Sequence, residues 1–308
     1  MDGMLAIYRA TIAMRRSTRS ITPPGTTLRS SKDQDHSGRG VTEACPIGVY
    51  ADERSGISLL RFPGSIARSL WRSQEMALIN RALAGRAGSL LDFGCGDGSL
   101  ASAMYPRVDY GIDIDTVALD IARQYGVYRR LLTFEGMSEI PAASVDTVVS
   151  CSVLEHTTDL PACLRAIARV LRAGGQLIFT VPSDHLTGQM AQLVDKDFAE
   201  SANDQMFHRN LYDRPAWRAL LQAAGFEVVT EQSFQARWFT RLVLLTTLLN
   251  ARALGRIPLL ERIAFRLGRT GWAQAVARSI ATDDPTGANH FFVARRIAPE
   301  AGLHPPGP

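Results

Sequence analysis

Between Ser89 and Pro182 short apolar runs alternate with helical patterns, and no other feature of the chain limits its fold as strongly. The runs are Ser89–Phe93, Tyr110–Asp113, Leu131–Glu135, Val145–Cys151 and Gln176–Pro182. Strands joined through helices pair in parallel, and a parallel sheet needs apolar cover on both faces. The expected fold is therefore α/β, a doubly wound, mostly parallel sheet with helices on both faces. Phe226–Ser233 and His290–Arg296 read as two further strands. The segment between them, 237–281, is too long and too apolar for a turn, so a helical insertion is expected before the last strand.

Helical signals divide the rest. Order is expected to begin near Ile57, and Ile66, Leu70, Trp71, Met76, Ile79 and Leu83 fall on one face of a lead-in helix that Gly85 and Gly88 stop. Leu160, Cys163, Leu164, Ile167 and Leu171 hold the same spacing up to Gly174 and Gly175. A further helix starts near Asp213–Pro215 and carries Trp217, Leu220 and Leu221 to Gly225. These signals predict a poorly ordered arm over 1–48, a helical lead-in over 49–88 and a core over 89–236. A basic amphipathic insertion over 237–287, the last strand over 288–298 and a disordered tail over 299–308 complete the division.

Composition narrows the class without naming it. With 308 residues, 46% hydrophobic and 21% charged, the chain can bury a large core and reads as folded and soluble. Cys45, Cys95, Cys151 and Cys163 form no C-x-x-C pair, which argues against a disulfide framework or zinc site and fits a reducing cytoplasm. The longest apolar run, Leu242 to Leu249, is broken by Thr246 and Thr247, far short of the ~20 residues a spanning helix needs. The first residues, with Arg9, Arg15, Arg16, Arg19 and Arg29 among Ser and Thr, resemble a transit peptide. A disordered arm or a misassigned start accounts for them equally well.

The first run leads straight into Asp92-Phe-Gly94-Cys95-Gly96-Asp-Gly98, after which Leu100, Ala101 and Met104 begin a helix. Alternate glycines let backbone approach a ligand where side chains would collide, at the strand end where open sheets bind ligands. About 20 residues on, the second run ends at Asp113, placed to accept from ribose hydroxyls. Asp115 is close enough to compete for that role, and the strand-end position favours Asp113. The spacing is not G-x-G-x-x-G, which disfavours a dinucleotide.

With these residues the chain resembles the class I, seven-stranded S-adenosylmethionine-dependent methyltransferase superfamily, whose first motif reads D-x-G-x-G-x-G. The likeness runs from Ser89 to Ser233 and includes the last strand. Gly136-Met137-Ser138 resembles the adenine-contacting turn, Val153-Leu154-Glu155-His156 the "vLEH" leaving strand four, and Arg169-Val-Leu171-Arg-Ala-Gly174-Gly175 the "rvLkpGG" before strand five. Many relatives carry Asp where Met137 stands. The resemblance implies S-adenosylmethionine as cofactor, held by Asp92, Gly94, Cys95, Gly96, Gly98, Asp113, Ile114, Met137, Ser138 and Ser152. The branch it resembles acts on quinones, saccharides and other small molecules, so O-methylation of a small-molecule, quinone or lipid-linked glycan acceptor is expected.

A sulfonium methyl is already activated, and holding the acceptor in line can contribute ~7–11 kcal/mol without a metal. A hydroxyl acceptor must also lose its proton, for which His156 and His208 are the candidate catalytic residues, with Asp184 and His185 as a third pair. Nucleic acid is disfavoured, because Cys151-Ser-Val-Leu-Glu-His156 stands where base methyltransferases of this superfamily carry Asn-Pro-Pro-aromatic. The insertion carries Arg237, Arg241, Arg252, Arg256, Arg262, Arg266, Arg269 and Arg278 against the lone acid Glu261. Leu259, Leu260, Ile263, Ala264 and Leu267 make a helical stripe beside three of them. Such a helix either packs its stripe on the sheet as a lid or lies peripherally on an anionic membrane surface. Two rival functions remain open, a non-catalytic S-adenosylmethionine-binding protein and a nicotinamide-dependent oxidoreductase.

Overall fold

The computed structural model describes residues 47–249 and 258–298. The arm expected over 1–48 lies outside the described residues up to 46, and so do the tail over 299–308 and 250–257 of the insertion. The side chains of Leu259, Leu260 and Glu261 are also outside them.

The lead-in differs from the expected helix alone, because a hairpin comes first. Strands β1 (Gly48–Asp52) and β2 (Ile57–Arg61) pair antiparallel ahead of α1 (Ile66–Leu83). Its turn is closed by Asp52, whose Oδ2 accepts from the Ser55 backbone N–H at 2.9 Å and hydroxyl at 2.5 Å. Buried hydroxyls fasten the hairpin to α1: the N–H groups of Leu60 and Phe62 donate to Ser73 Oγ and Ser69 Oγ at 2.8 and 2.9 Å.

Alternation of strand and helix follows as expected. It runs β3 (Leu90–Phe93), α2 (Ser99–Met104), β4 (Val108–Asp113), α3 (Thr116–Gln124), β5 (Tyr128–Thr133), β6 (Val145–Cys151), α4 (Leu160–Val170) and β7 (Leu171–Pro182). The expected strand Leu131–Glu135 begins earlier, and Glu135–Glu139 is a 3-10 turn. Helix α4 stops at Val170 rather than at the glycine pair, and β7 starts at once, with a register shift where Gly174 and Gly175 lie. Then come α5 (His185–Leu193) and α6 (Lys196–Met206), two helices that the apolar periodicity does not signal, and α7 (Arg214–Ala223), capped by Asp213. Strand β8 (Phe226–Phe234), helices α8 (Arg237–Leu249) and α9 (Pro258–Ser279) and strand β9 (Asn289–Arg296) close the order.

The main sheet has seven strands in the order β5-β4-β3-β6-β7-β9-β8. Strands β3 to β7 run parallel, and β9 lies antiparallel to both β7 and β8. Neighbouring residues point to opposite faces, as the two-residue strand period requires. Val148, Leu177, Phe179 and Phe292 join Leu164, Ile167, Trp217 and Leu221 of α4 and α7 in one core. Val149, Ile178, Phe291 and Val293 join α1, the hairpin, Phe239 and Val243 of α8 and Phe265 and Val276 of α9 in the other. The chain runs outward from β3 in both directions, to β4 and to β6, so the carboxyl end of β3 is the switch point where an open sheet leaves a crevice. Among the described residues no helix is long and apolar enough to cross a membrane.

Candidate functional site

The bend after β3 stands at that switch point. It is held from β4: Gly94 and Cys95 both donate their N–H to the Ile112 carbonyl, at 2.7 and 2.9 Å. Gly94 (φ +82°) and Gly96 (φ +55°) occupy left-handed backbone that side chains resist. Their surroundings differ. A Cβ on Gly94 would lie 2.2 Å from Val153 just past β6, whereas one on Gly96 would meet nothing within 4 Å. Gly94 is therefore bare for packing, and Gly96 lays its backbone open to the crevice.

Around Gly96 stand groups that suit an adenosyl amino acid. Asp113 ends β4 with Oδ2 accepting from Gly96 N–H at 2.7 Å and Oδ1 from Asp115 N–H at 2.9 Å, so its carboxylate is fixed at the rim. Asp115 is occupied otherwise, capping α3 by accepting from the N–H groups of Val117 and Ala118. Ile114 is 83% exposed, an apolar plate beside the bend against which a purine could stack. Asp92 accepts from the Tyr128 hydroxyl at 2.7 Å. Burial pushes the Asp92 carboxyl up to about 6, the Tyr128 hydroxyl pulls it down, and the charge of Asp113 adds to the rise. Cys95 is buried, and burial pushes its thiol far up, so it lines the bend as a small neutral group. A half-buried glycine backbone with open space beside it, two carboxylates and an apolar plate form a set of groups that fits S-adenosylmethionine, with its ribose, ammonium and adenine.

The remaining expected contacts are placed less directly. Met137 is buried in the core, and its carbonyl accepts from Arg169 Nη2 at 2.6 Å. Ser138 is exposed, with its hydroxyl donating to the Glu135 carbonyl at 2.9 Å. Ser152, with φ +53°, donates its hydroxyl to Glu75 of α1. Glu75 is fully buried and also accepts from Thr180 Oγ1 at 3.0 Å and from Arg72 Nη1 at 2.8 Å. Arg72 reaches on to the Cys151 sulfur at 3.2 Å. Nothing in the apolar periodicity of α1 marks Arg72 and Glu75, and only their i, i+3 charge pairing could have done so.

His156 leaves β6 on the same rim, in a turn whose Val153 abuts Gly94. The structure brings the two candidate histidines together, with ring centroids 5.4 Å apart and planes 30° from parallel. His156 is 34% exposed, and its Nε2 lies 3.5 Å from Oε1 of the buried Glu155. The stretch after α6 is tied to this turn, because Arg209 and Asn210 donate their N–H to the Glu155 carbonyl and Asn210 Nδ2 donates to the carbonyls of Leu154 and Thr157. His208 Nδ1 sits 3.2 Å from Asn203 Oδ1. Ligand atoms of Glu155, His156 and His208 lie within 4.8 Å of one another, a set with the chemistry to hold a metal ion that sequence spacing alone does not assemble. Asp184 and His185 stand elsewhere, past β7, where Asp184 faces the buried His290 at 3.8 Å. Burial pushes His290 down to about 4, so it is a neutral core histidine.

A profile of the methyltransferase domain matches residues 67–231, more than half of the chain. The ubiquinone biosynthesis O-methyltransferase of Hahella chejuensis is 37% identical over 100 residues, 30% of this chain and 42% of that protein. The protein of the same name in Pseudomonas entomophila is 34% identical over 125 residues, 38% of this chain and 53% of its own length. These matches thus span about half of the curated relatives or less. Among solved structures, phosphoethanolamine N-methyltransferase 2 of Haemonchus contortus, bound to S-adenosyl-L-methionine, superposes with a TM-score of 0.51 at 20% identity, covering 74% of this chain and 53% of that one. That likeness is one of fold.

Proposed function

The chain belongs to the class I S-adenosylmethionine-dependent methyltransferases, and on that footing we propose that it methylates a hydroxyl of a small-molecule acceptor, with His156 taking the proton. The observation that carries this reading is the seating of His156 on the rim beside the glycine bend, its Nε2 facing buried Glu155, its Nδ1 3.3 Å from the Phe207 carbonyl and its ring against that of His208. S-adenosylmethionine, when bound, supplies an electrophilic methyl on sulfur. Asp113, Gly96, Ile114 and Asp92 are the residues that would hold and orient it, and His156 would accept the acceptor's proton as the oxygen is methylated. Glu155 then stabilises the imidazolium so formed. The O-methyltransferase names of the relatives favour oxygen as the acceptor atom and a quinone-type ring among acceptors, with glycans and other small molecules behind.

A second reading concerns where the acceptor is met. On α9 the arginines Arg262, Arg266 and Arg269 are exposed, and so are Ile263 and Leu267, the latter at 82%. Trp238 of α8 is exposed beside Arg237 and Arg241. Apolar tips set among arginines suit the interface of an anionic membrane, and thus an acceptor with a lipid tail.

Turnover decides the first reading. With methyl-labelled S-adenosylmethionine and an extract of small molecules and lipids, label is expected in a base-stable methyl ether. His156→Ala is expected to lose about 100-fold or more in rate while still binding S-adenosylhomocysteine. Bound nucleoside with no labelled product from any extract would instead favour a protein that binds without turnover.

A further inference from the structure

Tyr128 opens β5, two strands away from the strand that bears Asp92. Its ring bridges that gap by crossing β4 where a side chain is missing. A Cβ on Gly111 would stand 2.8 Å from both Cδ1 and Cε1 of Tyr128, and one on Gly98 would stand 3.0 Å from Cε2. Any residue but glycine at position 111 would push the ring aside. The ring ends with its hydroxyl donating to Asp92 Oδ2 at 2.7 Å. A Tyr hydroxyl has one proton to give, and here the carboxylate receives it.

Asp92 needs such a donor because its other neighbours work against its charge. Asp113 faces it from the end of β4 with the same sign, Cys95 of the bend is neutral, and Tyr105, just past α2, is buried and also neutral. Without the hydroxyl, burial and Asp113 together would favour the protonated acid, which cannot attract an ammonium group.

We propose that Tyr128 is a positioning residue for cofactor binding, whose hydroxyl keeps Asp92 ionised and aimed at the ammonium end of the bound nucleoside amino acid. The inference rests on the S-adenosylmethionine site described above. Tyr128 acts through its hydrogen bond to Asp92, so its effect is one of charge and aim. It follows that affinity for the nucleoside falls as the pH is lowered through the range where Asp92 takes up a proton, and that losing the hydroxyl moves this fall to higher pH.

Calorimetric titration of S-adenosylhomocysteine from pH 5 to 9 tests the inference on the full chain. Affinity of the parent should drop below about pH 6. Tyr128→Phe should bind about fivefold or more weakly near neutral pH and approach the parent at the alkaline end, because below its midpoint the ionised fraction of an acid falls about tenfold for each pH unit. Asp92→Asn should bind weakly with no dependence in this range. A Tyr128→Phe profile that superposes on the parent, or is lowered equally at every pH, overturns the proposal. If Tyr128→Phe does not fold, carboxyl carbon-13 titration of the ligand-free parent takes its place, with Asp92→Asn identifying the signal. A midpoint above about 7, which would leave the carboxyl mostly protonated at neutral pH despite the hydroxyl, overturns it. A parent that binds no S-adenosylhomocysteine at any pH would refute the cofactor site itself, which is a different result.

Discussion

Gly94 and Gly96 look alike in the sequence and differ in the structure. Both hold left-handed backbone, so alanine at either costs about 1 kcal/mol in strain. At Gly94 the new methyl would also drive into Val153, adding roughly 1–3 kcal/mol of overpacking. Gly96→Ala meets no protein atom within 4 Å, and its methyl would enter the open space proposed for the nucleoside. Gly96→Ala is therefore expected to melt within a few degrees of the parent and bind S-adenosylhomocysteine about tenfold or more weakly. Gly94→Ala should be the less stable of the two by differential scanning fluorimetry, and the opposite ranking would refute this division of labour. The motif and the strand-end position of Asp113 were legible because they depend on local spacing. Tyr128 was not, since its role requires knowing that β5 and β3 flank β4 and that Gly111 lies between them.

At the scale of elements, what the sequence conveyed was periodicity, and it failed where buried polar or small residues broke the period. Helix α5 buries Gln189 between Leu186 and Met190 and holds Gly188, and α6 buries only Ala199 and Ala202, so neither shows an apolar stripe. The hairpin turn is closed by Asp52 and Ser55 rather than by a recognisable Asn-Gly or Asp-Gly pair. In the insertion the stripe was visible, and of its described members Ala264 packs against the second core. Helix α9 buries Phe265, Ala273 and Val276 and turns Ile263 and Leu267 outward. Deleting the insertion would therefore strip the second core, which makes exposed side chains the better probe. Arg262→Gln/Arg266→Gln/Arg269→Gln and Ile263→Ser/Leu267→Ser are expected to keep parental S-adenosylhomocysteine binding and to lose flotation with anionic vesicles. At about 1 kcal/mol per arginine near the surface, the triple change weakens partitioning on the order of 100-fold. Equal flotation of both variants and the parent would remove the membrane reading.

At the scale of the whole molecule, the proposed site predicts selection of ligands by the charge gathered at one rim of the sheet. Parallel strands β3 and β4 end side by side, which brings Asp113 close enough for its charge to raise the buried Asp92 carboxyl. Two carboxylates around an open backbone attract a nucleoside that carries an ammonium and a sulfonium, and they repel a pyrophosphate, whose two negative charges would have to enter the same space. Dinucleotide sites also carry an acid at the place of Asp113, so it is the Asp92 carboxylate at the bend that adds to the glycine spacing against a nicotinamide cofactor. A ligand that binds only the folded chain stabilises it by about 2.7 kcal/mol at a hundred times its Kd. For a domain of this size each kcal/mol moves the melting point by roughly 2–4 °C. S-adenosylhomocysteine at that excess is therefore expected to raise Tm by roughly 5–10 °C, while NAD at the same concentration leaves it unmoved. Asp92→Asn/Asp113→Asn should abolish the first shift, and a rise in Tm with NAD on the parent would mean that the rim does not select by charge.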